Sequence, residues 1–158
     1  MRLWRFHSFR LSIGATLAEV DFLGAKLALV WDGMILTYLR DDFAHIPWPG
    51  MWDLPGGGRK GDEGPEACVL RELKEEFGLV LGPERLVWRR EMPAMLDARR
   101  ASWFFAGRLA MDEIAAIRFG DEGQHWQMMP VAAFLAHRGA VPELRRRTRL
   151  ALGELGWG

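Results

Sequence analysis

Glu72, Glu75 and Glu76 fall together in the run "RELKEEF". Clustered carboxylate oxygens suit a hard divalent cation, which prefers oxygen ligands. Without one, like charges three and four residues apart on a helix repel by about a few tenths of a kcal/mol per pair. Arg71 lies next to this group and within reach of Glu75. Upstream stands "LPGGGRKGDEGP", with glycine at positions 56, 57 and 58. A glycine turn lets backbone amides and carbonyls approach a ligand closely. An isolated E-x-x-E-E is most often a solvated acidic face. Beside such a turn it becomes a place to hold a phosphate chain and a metal ion together.

These residues need a helix in a defined phase. Gly64 reads as its N-cap and Pro65 as its first residue, where a missing N–H costs nothing. The helix is expected to run to about Phe77, with Gly78 as a left-handed cap. At about 100° per residue, Val69, Leu70, Leu73 and Phe77 form the core stripe. The three glutamates occupy the next sector, beside that stripe, and Lys74 points away. Before the glycines, "GAKLALVW" and "MILTYLR" flank Asp32-Gly33, a strong hairpin signal. "DDFAHIPWPG" reads as a loop and "MWDLP" as a short extended piece. Downstream, "RLVWRREMPAML", "ASWFFAGRLA" and "HWQMMP" read as strands, and "MDEIAAIRF" is ambiguous. "VAAFLAHR" and "PELRRRTRLALGELG" read as helices. Trp52, Trp103, Phe104 and Phe105 are expected in the core. Leu144, Leu150 and Leu152 should face inward, with Arg145, Arg146, Arg147 and Arg149 on a solvated side. Hairpins mixed with few helices argue for a mixed α/β sandwich, not a doubly wound parallel sheet.

Residues 57–79 resemble the signature of the Nudix hydrolases, Gly-x5-Glu-x7-Arg-Glu-U-x-Glu-Glu-x-Gly-U, where U is bulky and aliphatic. Gly57, Glu63, Arg71, Glu72, Leu73, Glu75, Glu76, Gly78 and Leu79 fill every fixed position. The resemblance implies an α/β/α sandwich with a mixed sheet. It implies hydrolysis of a nucleoside diphosphate linked to another group X, with Mg²⁺ or Mn²⁺. By the same resemblance Glu72, Glu75 and Glu76 hold the metal and Arg71 orients them. Glu63 supports the loop, and a glycine-loop carbonyl at Gly56 or Gly57 completes the metal shell. The loop departs from a frequent family pattern at Lys60 and Asp62, outside the strict signature.

"FGDEGQHW" adds Asp121 and Glu122. Glu-Gly-Gln shortly before Trp126 resembles a stretch of the MutT branch, whose members hydrolyse nucleoside triphosphates. The resemblance puts Glu122 in the metal site, as a ligand or as the acceptor of a proton from the attacking water. Asp121 fits a polar turn. The branch that acts on oxidised guanine nucleotides carries an asparagine shortly before a proline near the C-terminus. Here Ala140 or Val141 of "GAVPEL" stands there and cannot hydrogen-bond a base. Arg40 suits phosphate oxygens by its guanidinium fork, or else pairs with Asp41 or Asp42. Trp48 stacks on a base or packs its loop.

The chain has 158 residues, enough for one domain, taken as residues 1–158. Lys and Arg number 21 against 21 Asp and Glu. The balance provides no overall field for a nucleic-acid polymer or a membrane surface. No apolar run reaches the ~20 residues of a membrane span. The first 20 residues, which include His7, lack the apolar stretch of a secretory signal. The one cysteine, Cys68, forms no internal disulfide, which fits the cytoplasm. His7, His45, His125 and His137 lack zinc-ligand spacing. The expected partner is a small nucleotide, bound by a monomer or homodimer. The leading expectation is a MutT-type (d)NTP pyrophosphohydrolase. An ADP-sugar or other nucleotide-sugar pyrophosphatase is the first alternative, and a catalytically silent nucleotide sensor the second.

Overall fold

The computed structural model describes residues 21–157. The N-terminal stretch read above for a secretory signal, with His7, lies outside the described residues. Strand β1 spans Phe22–Trp31 and β2 spans Met34–Leu39. Asp32 (φ +46°) and Gly33 (φ +73°) join them, the positive angles of a tight hairpin turn that follows strand twist. Two short strands follow, β3 at Trp52–Asp53 and β4 at Gly56–Gly58. Helix α1 covers Pro65–Phe77, capped by Gly64 and by Gly78 at φ +67°. Strands β5 (Trp88–Pro93) and β6 (Ala101–Arg108) form a second hairpin. The ambiguous segment contains a short helix α2, Met111–Ala115. Strand β7 (His125–Pro130) leads into α3 (Val131–Ala136), and α4 (Pro142–Leu155) closes the described chain.

β1 is central. It runs parallel to β6 on one edge. Its other edge is shared: Val30 and Trp31 pair with β2, while Gly24, Ala25 and Lys26 pair with β4. β2 pairs antiparallel with β7 along its length and with β3 at Tyr38 and Leu39. β1 and β2 therefore part after the hairpin end, and β3 and β4 enter the gap. Both faces of the sheet are covered, so alternate residues of one strand serve two cores. Leu27, Leu29, Trp103 and Phe105 pack under α1 with Val69, Leu73 and Phe77. Ala28, Val30, Phe104 and Ala106 pack under α4 with Leu144, Ala151 and Leu152. This is the mixed α/β/α sandwich expected from the signature.

Some details differ from the sequence reading. The strand expected over "RLVWRREMPAML" is confined to Trp88–Pro93. Trp52 and Leu150 are only partly buried, at the margin of the α4 core. Arg147, expected in solvent, is 1% exposed. Its guanidinium donates to Ser102 Oγ at 3.1 Å, the Pro93 carbonyl at 2.6 Å and Glu143 Oε1 at 3.0 Å. Those acceptors lie on the sheet and at the helix start, so the charge is carried inward and hydrogen-bonded there.

Candidate active site

The gap between β1 and β2 opens into a cavity of about 470 Å³. Lys26 comes from β1, Tyr38 from the end of β2, Arg40 from the residue just after that strand, and Asp53 from β3. Gly56, Gly57 and Gly58 of β4 form one wall, and Glu72 and Glu76 of α1 face them. Trp48 and Glu122 close it from two loops. Arg40, Trp48, Gly56, Gly57, Glu72, Glu76 and Glu122 are thus brought together from distant stretches of sequence.

Two glycines are needed at this wall. Gly56 has φ +127°, and a Cβ there would overlap the Ala25 carbonyl. A Cβ on Gly57 would stand 2.7 Å from Glu72 Cδ, so its absence makes room for the carboxylate. Glu76 is 6% exposed, and its Oε1 accepts the Gly56 N–H at 2.8 Å. It was expected beside the core stripe, in the sector of Glu72 and Glu75, but it is buried with the stripe. It stands seven residues after Val69, only about 20° away around the axis. Burial pushes its carboxyl up to about 8. The Lys26 ammonium and the Gly56 N–H act against that rise, and Asp53 and Glu72 add to it.

Glu75 is not in the cavity. Its side chain is 48% exposed and pairs with Arg71 at 3.1 Å and Lys60 at 3.5 Å. Arg71 also donates to Glu72 Oε1 at 3.0 Å, the Gly58 carbonyl at 2.8 Å and Glu63 Oε1 at 2.7 Å. Glu63 accepts the Lys60 N–H at 2.8 Å as well. Arg71 and Glu63 therefore bind the glycine loop to the helix. The Arg71 hydrogen bonds, helped by the Lys60 N–H, hold the Glu63 carboxyl down to about 2 against the opposing effect of burial.

Arg40 pairs with neither Asp41 nor Asp42. Its Nη1 donates to Asp53 Oδ2 at 2.7 Å, and its Nε donates to the Pro47 carbonyl at 2.9 Å. The same Asp53 oxygen receives Lys26 Nζ at 2.9 Å and the Tyr38 hydroxyl at 2.9 Å. Burial works to raise the Asp53 carboxyl, but Lys26 and Arg40 outweigh it and hold it below the usual carboxylate range. Two cations on one carboxylate leave a net positive floor opposite Glu72, Glu76 and Glu122. Lys26 Nζ also donates to the Gly56 carbonyl at 3.0 Å. The oxygen expected to complete a metal shell therefore carries an ammonium here. Lys26, Asp53 and Tyr38 were not singled out from sequence. The available signal was a lone lysine in "GAKLALVW" and a lone aspartate in "MWDLP".

Trp48 adopts φ +53°, uncommon for a bulky residue. Its buried indole N–H meets no hydrogen-bond partner among the described residues. A smaller cavity of about 180 Å³ adjoins Gly57 and Gly58, walled by Leu23, Ala94, Met95, Leu96 and Trp103.

Among the described residues, no three His, Cys, Asp or Glu side chains form a ready metal cage. The donors nevertheless suit a hard cation. Glu76 is a buried carboxyl next to Glu72, with one hydrogen bond among the described residues and a pKa raised to about 8 by burial. A cation would relieve both the burial and the repulsion. No helix among the described residues is long and apolar enough to cross a membrane.

The NUDIX domain model matches residues 27–150, and the chain belongs to that family. It is 38% identical over 85 residues to the RNA pyrophosphohydrolase of Gluconacetobacter diazotrophicus, covering 48% of this chain and 50% of that one. The chain thus spans about half the length of that relative. The MutT protein of Methanosarcina mazei superposes with a TM-score of 0.66 at 19% identity, over 87% of this chain and 97% of that one. A bifunctional NMN adenylyltransferase/ADP ribose pyrophosphatase of Francisella tularensis, complexed with AMP and a Mn ion, gives 0.62 at 19% identity. That match covers 85% of this chain and 42% of the other. These two structures show the shared fold.

Proposed function

We propose that this chain is a pyrophosphohydrolase that splits a phosphoanhydride of a nucleoside diphosphate linked to X, with a (d)NTP as first substrate. One observation carries the reading: a single cavity sets Glu72, Glu76 and Glu122 against a floor built on Lys26 and Arg40. Phosphate oxygens need positive partners, and hydrolysis needs a water aligned with the bond that breaks. Arg40 and Lys26 attract the phosphate chain, and Glu122 accepts the proton of the attacking water. Glu72 and Glu76 would hold Mg²⁺ or Mn²⁺, with Glu75 in reserve beyond Arg71. When bound, the cation supplies charge neutralisation at the phosphoryl oxygens. Trp48 and the apolar cavity beside Gly57 and Gly58 offer surfaces for a base. Val141 brings only methyl groups to the wall, which argues against reading an oxidised guanine by hydrogen bonds.

The RNA pyrophosphohydrolase relatives favour a second reading, the 5′-triphosphate end of an RNA. Phosphate and pyrophosphate release from dNTPs, nucleotide sugars and triphosphorylated RNA, with Mg²⁺ and Mn²⁺, separates the two. Turnover of dNTPs is expected. Turnover of RNA alone moves the chain to the second reading. Tight nucleotide binding with no turnover on any substrate makes it a silent sensor.

A further inference from the structure

Glu122 sits on a loop that is fastened at both ends. At its start, the Gly120 N–H donates to the Glu76 carbonyl at 2.8 Å, at the end of α1. Gly120 is close enough to that turn that a Cβ would stand 2.8 Å from the Glu75 carbonyl. At its end, the Gln124 N–H donates to the Leu39 carbonyl at 2.8 Å, and Gln124 Nε2 to the Arg40 carbonyl at 2.9 Å. The residue between Glu122 and Gln124 is Gly123, at φ +91°. A Cβ there would strike Tyr38, the Leu39 carbonyl and Phe119. Asp41 reaches this turn from outside the loop: its Oδ2 accepts the Gly123 N–H at 3.0 Å. That bond fixes the peptide immediately after Glu122. Asp41 is itself held, since its carbonyl accepts the Gly50 N–H at 3.0 Å. It follows directly on Arg40, whose guanidinium lies on the cavity floor.

We infer that Asp41 is a positioning residue that aims Glu122 into the cavity by holding the Gly123 peptide. The inference rests on the proposed role of Glu122. Through Asp41, the strand that supplies the floor cation also sets the carboxylate opposite it. A misplacement of about 1 Å at a reacting group can cost ~10²-fold in rate, so a lost tether is expected to act on turnover.

Four variants test this: Glu122→Gln, Asp41→Ala, Asp41→Asn and the double Asp41→Ala/Glu122→Gln. Each is followed by kcat and KM for dNTP hydrolysis, thermal midpoint and hydrogen exchange at the Gly123 amide. Asp41→Ala should lower kcat by ~10-fold or more, with less than about a twofold change in KM and faster Gly123 exchange. Asp41→Asn keeps an acceptor oxygen and should restore most of kcat. The double variant should be no slower than Glu122→Gln. Should Asp41→Ala fold poorly, Asp41→Ser, whose hydroxyl is too short to reach the Gly123 N–H, should give the same pattern. Full turnover in a folded Asp41→Ala or Asp41→Ser, or losses that multiply in the double variant, would overturn the role of Asp41. Normal turnover in Glu122→Gln would overturn the role of Glu122 and, with it, this inference.

Discussion

Helices α1 and α4 are built alike and used differently. Each has proline in its first turn and ends at a left-handed glycine, Gly78 at φ +67° and Gly156 at φ +69°. Each carries like charges beside an apolar stripe, and each turns one of them inward. On α4 the inward charge is Arg147, with acceptors at Ser102, Pro93 and Glu143. On α1 it is Glu76, with one hydrogen bond among the described residues, from Gly56, and a carboxyl pushed up to about 8 by burial. Arg147 has a hydrogen bond on each guanidinium nitrogen, whereas Glu76 faces a cavity and its ionised form is opposed by burial and by Glu72. A buried charge with a partner on each of its nitrogens holds the structure together. One short of partners, at the wall of a cavity, is the better candidate for a ligand.

Truncation of the inward arginine of α4 gives the largest expected stability loss. Arg147→Ala strips partners from Glu143 and the Pro93 carbonyl, and should cost ~3–5 kcal/mol in a denaturant titration. A change under about 1 kcal/mol would erase the contrast between the helices. Leu73→Ala, on the fully buried stripe of α1, should cost ~2–5 kcal/mol as a cavity mutation. Turnover per folded molecule should change far less than on replacing Glu76 by glutamine.

Glu63→Gln loosens the loop from α1 and should cost ~1.5–3 kcal/mol near neutral pH, as a charge-assisted hydrogen bond does. Its pH dependence has a definite sign. The folded carboxyl lies at about 2 against an ordinary 4.5. Its contribution is therefore complete above 4.5 and is lost as pH falls through 2. The variant should lack that part of the acid limb, and an unchanged limb would sever Glu63 from Arg71. Smallest is Glu66→Ala, which removes a half-exposed pair with Arg89. A shift beyond ~1 kcal/mol would mean that surface charges on α1 matter more than buried ones.

The asymmetry was only partly legible in sequence. The limits of α1 follow from Gly64-Pro65, Gly78 and a clean 3.6-residue period, and the structure has them at those positions. The resemblance over residues 57–79 also anticipated the sandwich. The positive floor was not legible, because Lys26 and Asp53 meet across 27 residues of chain. Nor does a strand reading show that β1 divides its edge between β2 and β4. Arg147 was misassigned because an arginine triplet reads as a solvated face. It stands four residues before Ala151, about 40° around the axis, and its acceptors at Ser102 and Pro93 are 45 and 54 residues away. For Glu122, a short local resemblance gave the candidate. Its tether to Asp41 spans 82 residues and leaves no local pattern.

The central claim is that the under-partnered carboxylate of α1 serves hydrolysis. Its most direct test is dNTP turnover by Glu76→Gln at saturating Mn²⁺, with the thermal midpoint taken with and without the cation. Turnover is expected to fall by ~10³-fold, the several kcal/mol that a lost metal ligand removes. The fold should persist, and the rise in midpoint on adding Mn²⁺ to the parent chain should shrink or vanish. A folded Glu76→Gln that retains near-normal turnover and the full Mn²⁺ shift would contradict the account.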